Sequence, residues 1–200
     1  MKPRLYFDTS VFGGIYDKEF QEETVQLFEM VNAGEVVCVY SDLTEFELEN
    51  APEKVKEHFV NLPTEYIEFV EITEEMNELA NEYIKENVVG ATSIDDCRHI
   101  ACATLKKVDY LISWNFKHIV NVFRIRGYNS INIKNGYAQL DIRSPKKLLA
   151  MKNNQPIKEK EFDTVKFFRA VKEKIATETK GMTFIEFKQY ISNRKLKTVR

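Results

Sequence analysis

Short runs of β-branched and aromatic residues recur along the first 145 residues, and the stretches between them have helical periodicity. The runs are Arg4–Asp8, Val36–Ser41, Ile67–Ile72, Tyr110–Ser113 and Ser130–Ile133, each bounded by polar residues or Gly, as strands are. Between them, Glu22–Ala33 sets Val25, Phe28 and Val31 on one side and stops at Gly34. Thr73 starts a helix through Leu79, Ala80, Tyr83 and Ile84. Ser93-x-x-Asp96 has the form of a capping box, with Asp in place of Glu, ahead of Ile94, Cys97, Ile100, Ala101 and Leu105. Strands alternating with helices predict an α/β fold, a three-layer α/β/α sandwich with a mainly parallel central sheet. In such sheets binding sites form beyond the carboxyl ends of the strands.

The pattern breaks after Ser144-Pro145. The polar stretch Lys152-Asn153-Asn154-Gln155-Pro156-Ile157-Lys158-Glu159-Lys160 reads as a linker. Beyond it, one amphipathic segment carries Phe162, Val165, Phe168, Val171 and Ile175 up to Gly181. A second starts at the capping box Thr183-x-x-Glu186 and carries Phe187, Tyr190 and Ile191. Both are short, so each needs a surface to dock on. The expected organisation is a body over 1–148, a linker over 149–160 and a two-helix tail over 161–200.

Charge divides along the same line. Residues 1–150 hold 25 acidic and 16 basic side chains, a balance of −9, whereas 151–200 hold 6 and 13, a balance of +7. An acidic body does not look like a general nucleic-acid binder; if it acts on RNA, the expected contact is local and metal-assisted. The opposed charges suit self-association or regulation. No apolar run is long enough to span a membrane, and the apolar stretch at the N-terminus is too short for a signal peptide. Cys38, Cys97 and Cys102 form no CxxC pair and are expected as buried reduced thiols of a cytoplasmic protein.

Polar residues gather where a parallel sheet collects its loops. Asp8 follows the first run, Glu47 lies just beyond the second, Asp96 opens the helix leading into His99-Ile100-Ala101, and Ser113-Trp114-Asn115 closes the fourth run. Carboxylates that converge repel unless a cation sits among them, and oxygen ligands of this kind suit Mg²⁺ or Mn²⁺. Such an ion serves phosphodiester hydrolysis. A lone Asp after a strand is equally a turn or cap residue. Glu45 and Asp95 compete for the second and third acidic positions.

Taken together, Asp8-Thr9-Ser10-Val11-Phe12-Gly13, Ser41-x-x-Thr44-x-x-Glu47-Leu48, Asp96-Cys97-Arg98-His99-Ile100-Ala101 and Ser113-Trp114-Asn115-Phe116-Lys117-His118-Ile119 resemble the motifs of PIN-domain ribonucleases of the VapC toxin type. The likeness runs in order over residues 3–148, including Arg126-Gly127-Tyr128-Asn129. It implies Mg²⁺- or Mn²⁺-dependent cleavage of RNA, with Asp8, Glu47 and Asp96 as metal ligands and Ser113 orienting the site. The fourth acidic position of that family falls here on Asn115, which can ligate through its carbonyl but removes one negative charge. The pattern Glu161-Phe162-Asp163-x-Val165-x-x-x-Arg169 followed by Lys180-Gly181-Met182-Thr183-Phe184-x-Glu186 resembles the antitoxins that accompany such toxins. That likeness implies a tail that restrains the body in cis or from a second copy, and a homo-oligomer. The competing reading is a non-catalytic PIN-fold RNA-binding or scaffold protein. Against a haloacid-dehalogenase-like phosphatase stands Ser10, where that motif needs a second Asp.

Overall fold

β1 (Arg4–Phe7) runs through the centre of a sheet of five parallel strands in the order β3-β2-β1-β4-β5, with β2 at Val37–Ser41, β3 at Ile67–Val70, β4 at Tyr110–Ile112 and β5 at Ile142–Arg143. This computed structural model describes residues 2–152. The connections are helical: α1 (Thr9–Gly14) and α2 (Gln21–Asn32) after β1, α3 (Asp42–Leu48) and α4 (Glu53–Val60) after β2, α5 (Glu74–Lys85) and α6 (Ile94–Leu105) after β3, α7 (Val122–Lys134) after β4 and α8 (Pro145–Lys152) after β5. The predicted α/β/α sandwich is the fold observed. No helix among the described residues is long and apolar enough to cross a membrane.

Alternation along the strands divides the interior in two. Tyr6, Val39 and Leu111 face one core, filled by Leu79 and Tyr83 of α5, Ile100 of α6 and Tyr128 of α7. Leu5, Phe7, Cys38 and Ile112 face the other, filled by Val11, Phe12, Phe28, Val31 and Leu148. In the second core Phe7 meets Phe12 and Phe28 edge-on, at centroid separations of 6.2 and 5.6 Å. Each such pair contributes about 0.5–1.5 kcal/mol beyond the area it buries. Cys38, Cys97 and Cys102 are buried free thiols.

Four sequence readings need correction. The run Ser130–Ile133 is not a strand but the last turns of α7, whose buried face carries Tyr128, Ile131 and Asn132 at helical spacing. Asn132 is fully buried, yet its amide accepts from the Tyr83 hydroxyl and donates to Thr104 Oγ1, so a polar residue occupies a core position of the helix. The last strand is instead the two-residue β5. Val25 faces outward; α2 buries Thr24, Leu27, Phe28 and Val31. Ser93 makes no side-chain cap to α6, because its hydroxyl lies 3.0 Å from His118 Nδ1. At the far end, α8 carries the body past residue 148 to Lys152, with Leu148 and Leu149 buried. The remainder of the 149–160 linker and the 161–200 tail lie outside the described residues.

The strand order fixes where a site can form. The chain builds outward from β1 to β2 and β3, then crosses to place β4 on the other side of β1. The loops after β1 and β4 therefore part at the carboxyl edge and leave a crevice between them, the usual binding position in open parallel sheets.

Candidate active site

Asp8 leaves β1 at that crevice. Its backbone is still extended, its amide donates to Ile112 O of β4, and α1 begins with the next residue. The carboxylate is 4% exposed and receives two hydroxyls, Ser10 Oγ at 2.6 Å on Oδ1 and Ser113 Oγ at 2.9 Å on Oδ2. Burial pushes its pKa up to about 6, against the lowering effects of His99 and the two hydroxyls. Glu47 lies near enough for its charge to add to the rise.

Glu47 reaches the same place from α3. Thr9, the residue after Asp8, donates its hydroxyl to Glu47 Oε2, and His99 Nε2 lies 3.0 Å from that oxygen. Burial alone raises this carboxyl, but the His99 contact and the Thr9 bond outweigh it and hold the pKa below the usual glutamate value. Asp96 enters from the first turn of α6, where the helix dipole favours an acid. It accepts from Asn115 Nδ2 at 2.7 Å and lies 2.8 Å from His118 Nδ1.

Ser113 and Asn115 join these acids into one network. Ser113 Oγ donates to Asp8 while accepting from the Asn115 amide at 2.8 Å, and Asn115 in turn reaches Asp96. Its carbonyl oxygen accepts from the His118 amide at 3.0 Å. Asn115 thus holds the loop after β4 and bonds to Asp96. Ser10 adds a second clamp by accepting from the Trp114 amide at 2.9 Å.

The competing acids point elsewhere. Asp95 pairs with Arg98 at 2.8 Å on the surface, and Glu45 accepts from the Tyr40 hydroxyl at 3.2 Å. Trp114 is buried, stacks on Phe20 at 4.3 Å and donates its indole N–H to Thr24 Oγ1, so it packs instead of offering a face to a base. His58 sits edge-on to Phe28. Sequence reasoning gave no role to Thr9 and Ser10, and set His99 aside. Their signal was register: each stands within three residues of an acid on the same turn or helix face.

The donor set is all oxygen, which suits a hard divalent cation. Among the described residues no three His, Cys, Asp or Glu side chains stand together closely enough to hold one ion, and each acid is engaged by the chain's own donors. The surroundings of Asp8 nevertheless suit a cation: it is buried without a cationic partner in hydrogen-bonding contact, and Glu47 raises its pKa further. A divalent charge would relieve both costs.

No family model matches this chain, and no curated protein does. Solved structures similar to it include a toxin–antitoxin complex from Klebsiella pneumoniae, at 19% identity and a TM-score of 0.45, covering 59% of this chain and 92% of that one. A second is VapC20 from Mycobacterium tuberculosis, described as a Sarcin-Ricin loop cleaving toxin, at 13% identity and a TM-score of 0.45, covering 56% and 91%. A third is a DNA-bound VapBC from Salmonella typhimurium, at 14% identity and a TM-score of 0.46, covering 72% and 98%.

Proposed function

We propose that this chain is a divalent-metal-dependent endoribonuclease of the toxin type, hydrolysing RNA phosphodiester bonds and restrained by its tail at 161–200. The observation that supports the reading is the polar network at the switch point of a parallel sheet: Ser113 and Asn115 link Asp8 to Asp96, and Thr9, next to Asp8 in the chain, binds Glu47. Asp8, Glu47 and Asp96 would hold Mg²⁺ or Mn²⁺, which supplies activation of a water and charge stabilisation at a phosphate. Ser10 and Ser113 fix both oxygens of Asp8, and Thr9 and His99 fix Glu47. Asn115 orients Asp96 without adding a charge, so the site favours a single ion over a pair.

RNA cleavage with Mn²⁺, run on the full chain and on residues 1–152, tests both parts of the proposal. The shorter form keeps all of α8. It should cleave RNA, lose that activity with EDTA or Asp8→Asn, and be quieted by added 161–200 peptide, while the full chain cleaves more slowly. Equal rates for the two forms would remove the restraint but leave the nuclease. The engagement of every acid by internal donors favours the second reading, a non-catalytic scaffold. On that reading neither form cleaves, and Mn²⁺ leaves thermal stability unchanged.

A further inference from the structure

Behind the acids lies a buried chain of polar groups. Ser41 Oγ is 2.7 Å from the Tyr6 hydroxyl, that hydroxyl is 2.8 Å from His99 Nδ1, and His99 Nε2 is 3.0 Å from Glu47 Oε2. Ser41 and Tyr6 are fully buried and His99 is 3% exposed. Polar groups at such depth are costly unless paired, so the four hold one another in a single arrangement. A carboxylate only accepts, so Nε2 carries a hydrogen and donates to Glu47, and Nδ1 is the atom that Tyr6 contacts.

The members of this chain sit beside each acid. Tyr6 is two residues before Asp8 on β1, Ser41 ends β2 at the start of the helix that bears Glu47, and His99 is three residues beyond Asp96 on α6. Residues three apart on a helix share a face, so α6 presents Asp96 and His99 to the same crevice. The edge-on packing of the Tyr6 and His99 rings, centroids 5.7 Å apart, fixes the two planes as well.

We infer that Ser41, Tyr6 and His99 form a buried positioning relay that sets Glu47 relative to Asp8 and Asp96, and so governs the affinity of the site for a divalent cation. The inference rests on the metal-dependent reading above. None of the three would touch the ion or the RNA. Each acts through Glu47, as groups behind a metal ligand commonly do.

The test is calorimetric titration of Mn²⁺ into the full chain, for wild type, Tyr6→Phe, Ser41→Ala and Asp8→Asn, alongside nitrogen NMR of ¹⁵N-histidine-labelled protein. Tyr6→Phe removes one buried oxygen and keeps the ring. Mn²⁺ affinity should fall about tenfold in Tyr6→Phe, and the His99 Nδ1 resonance, identified by its loss in His99→Gln, should move. Ser41→Ala, one step further from Glu47, should show a smaller loss of the same kind. If Tyr6→Phe does not fold, the Ser41→Ala titration decides the matter. Wild-type binding that is lost in Asp8→Asn but unchanged in the relay variants would overturn the relay and leave the nuclease reading standing. No Mn²⁺ binding by wild type would overturn both.

Discussion

Replacing Asp8 by Asn should stabilise the metal-free protein. The carboxyl is raised from 3.8 to about 6, chiefly by burial. A raised folded-state pKa means that the folded chain holds this proton more tightly than the unfolded chain. The contribution of Asp8 to stability is therefore greatest below pH 3.8, falls as pH rises through that value, and levels off above pH 6. At 1.36 kcal/mol per unit, ionised Asp8 costs the folded state about 3 kcal/mol at neutral pH. Asn has no such dependence, but it keeps only one acceptor oxygen for the two hydroxyls of Ser10 and Ser113. The net gain expected in EDTA at pH 7.5 is about 1–3 kcal/mol, and it should shrink at pH 5. Urea unfolding reports it directly, because the single tryptophan, Trp114, is buried beside the site. Mn²⁺ should stabilise wild type and leave Asp8→Asn unmoved. A variant less stable than wild type at pH 7.5, or a difference that is the same at both pH values, would refute the argument that burial dominates at Asp8.

Asn115→Asp exchanges an amide donating to Asp96 for a second carboxylate at the same place. Its melting temperature should fall in EDTA and rise with Mn²⁺ by more than that of wild type, as read by circular dichroism; equal responses would detach residue 115 from the site. Gly14→Ala would set a Cβ 2.7 Å from Thr24 Oγ1 and 2.8 Å from the Trp114 indole nitrogen. Crowding of that kind should cost about 1–3 kcal/mol and shift Trp114 emission; unchanged stability and emission would mean that the contact yields freely.

The strands that could be read from sequence were those with a dense run of β-branched and aromatic residues on both faces, as in Val37-Cys38-Val39-Tyr40. Buried parallel strands need apolar side chains on both sides, and that leaves a local mark. Ile142–Arg143 left none, since two residues make no pattern, and its place in the sheet follows from pairing with β4. Ser130–Ile133 mimicked a strand because Asn132, a polar residue, occupies a buried helix position; its partners Tyr83 and Thr104 are distant in sequence and invisible locally. The same limit applied at the site. Asp8, Glu47, Asp96, Ser113 and Asn115 stood out by register at element ends. The bonds that give Asn115 and His99 their tasks reach across 19 and 52 residues, beyond any local pattern.

The position of β1 also sets an order on synthesis. Of the five described strands the central one leaves the ribosome before the other four, yet one of its two edges waits for β4, and Asp8 meets Ser113 across a separation of 105 residues. Until that point in translation the chain can pair β1 only with β2. Asp8, Thr9, Glu47 and then Asp96 emerge with no Ser113 or Asn115 to join them. A half-made chain therefore lacks the bonds that link Asp8 to Asp96 through Ser113 and Asn115. Non-local parallel pairing of this kind forms slowly, so the site is completed only near the end of the body's own folding.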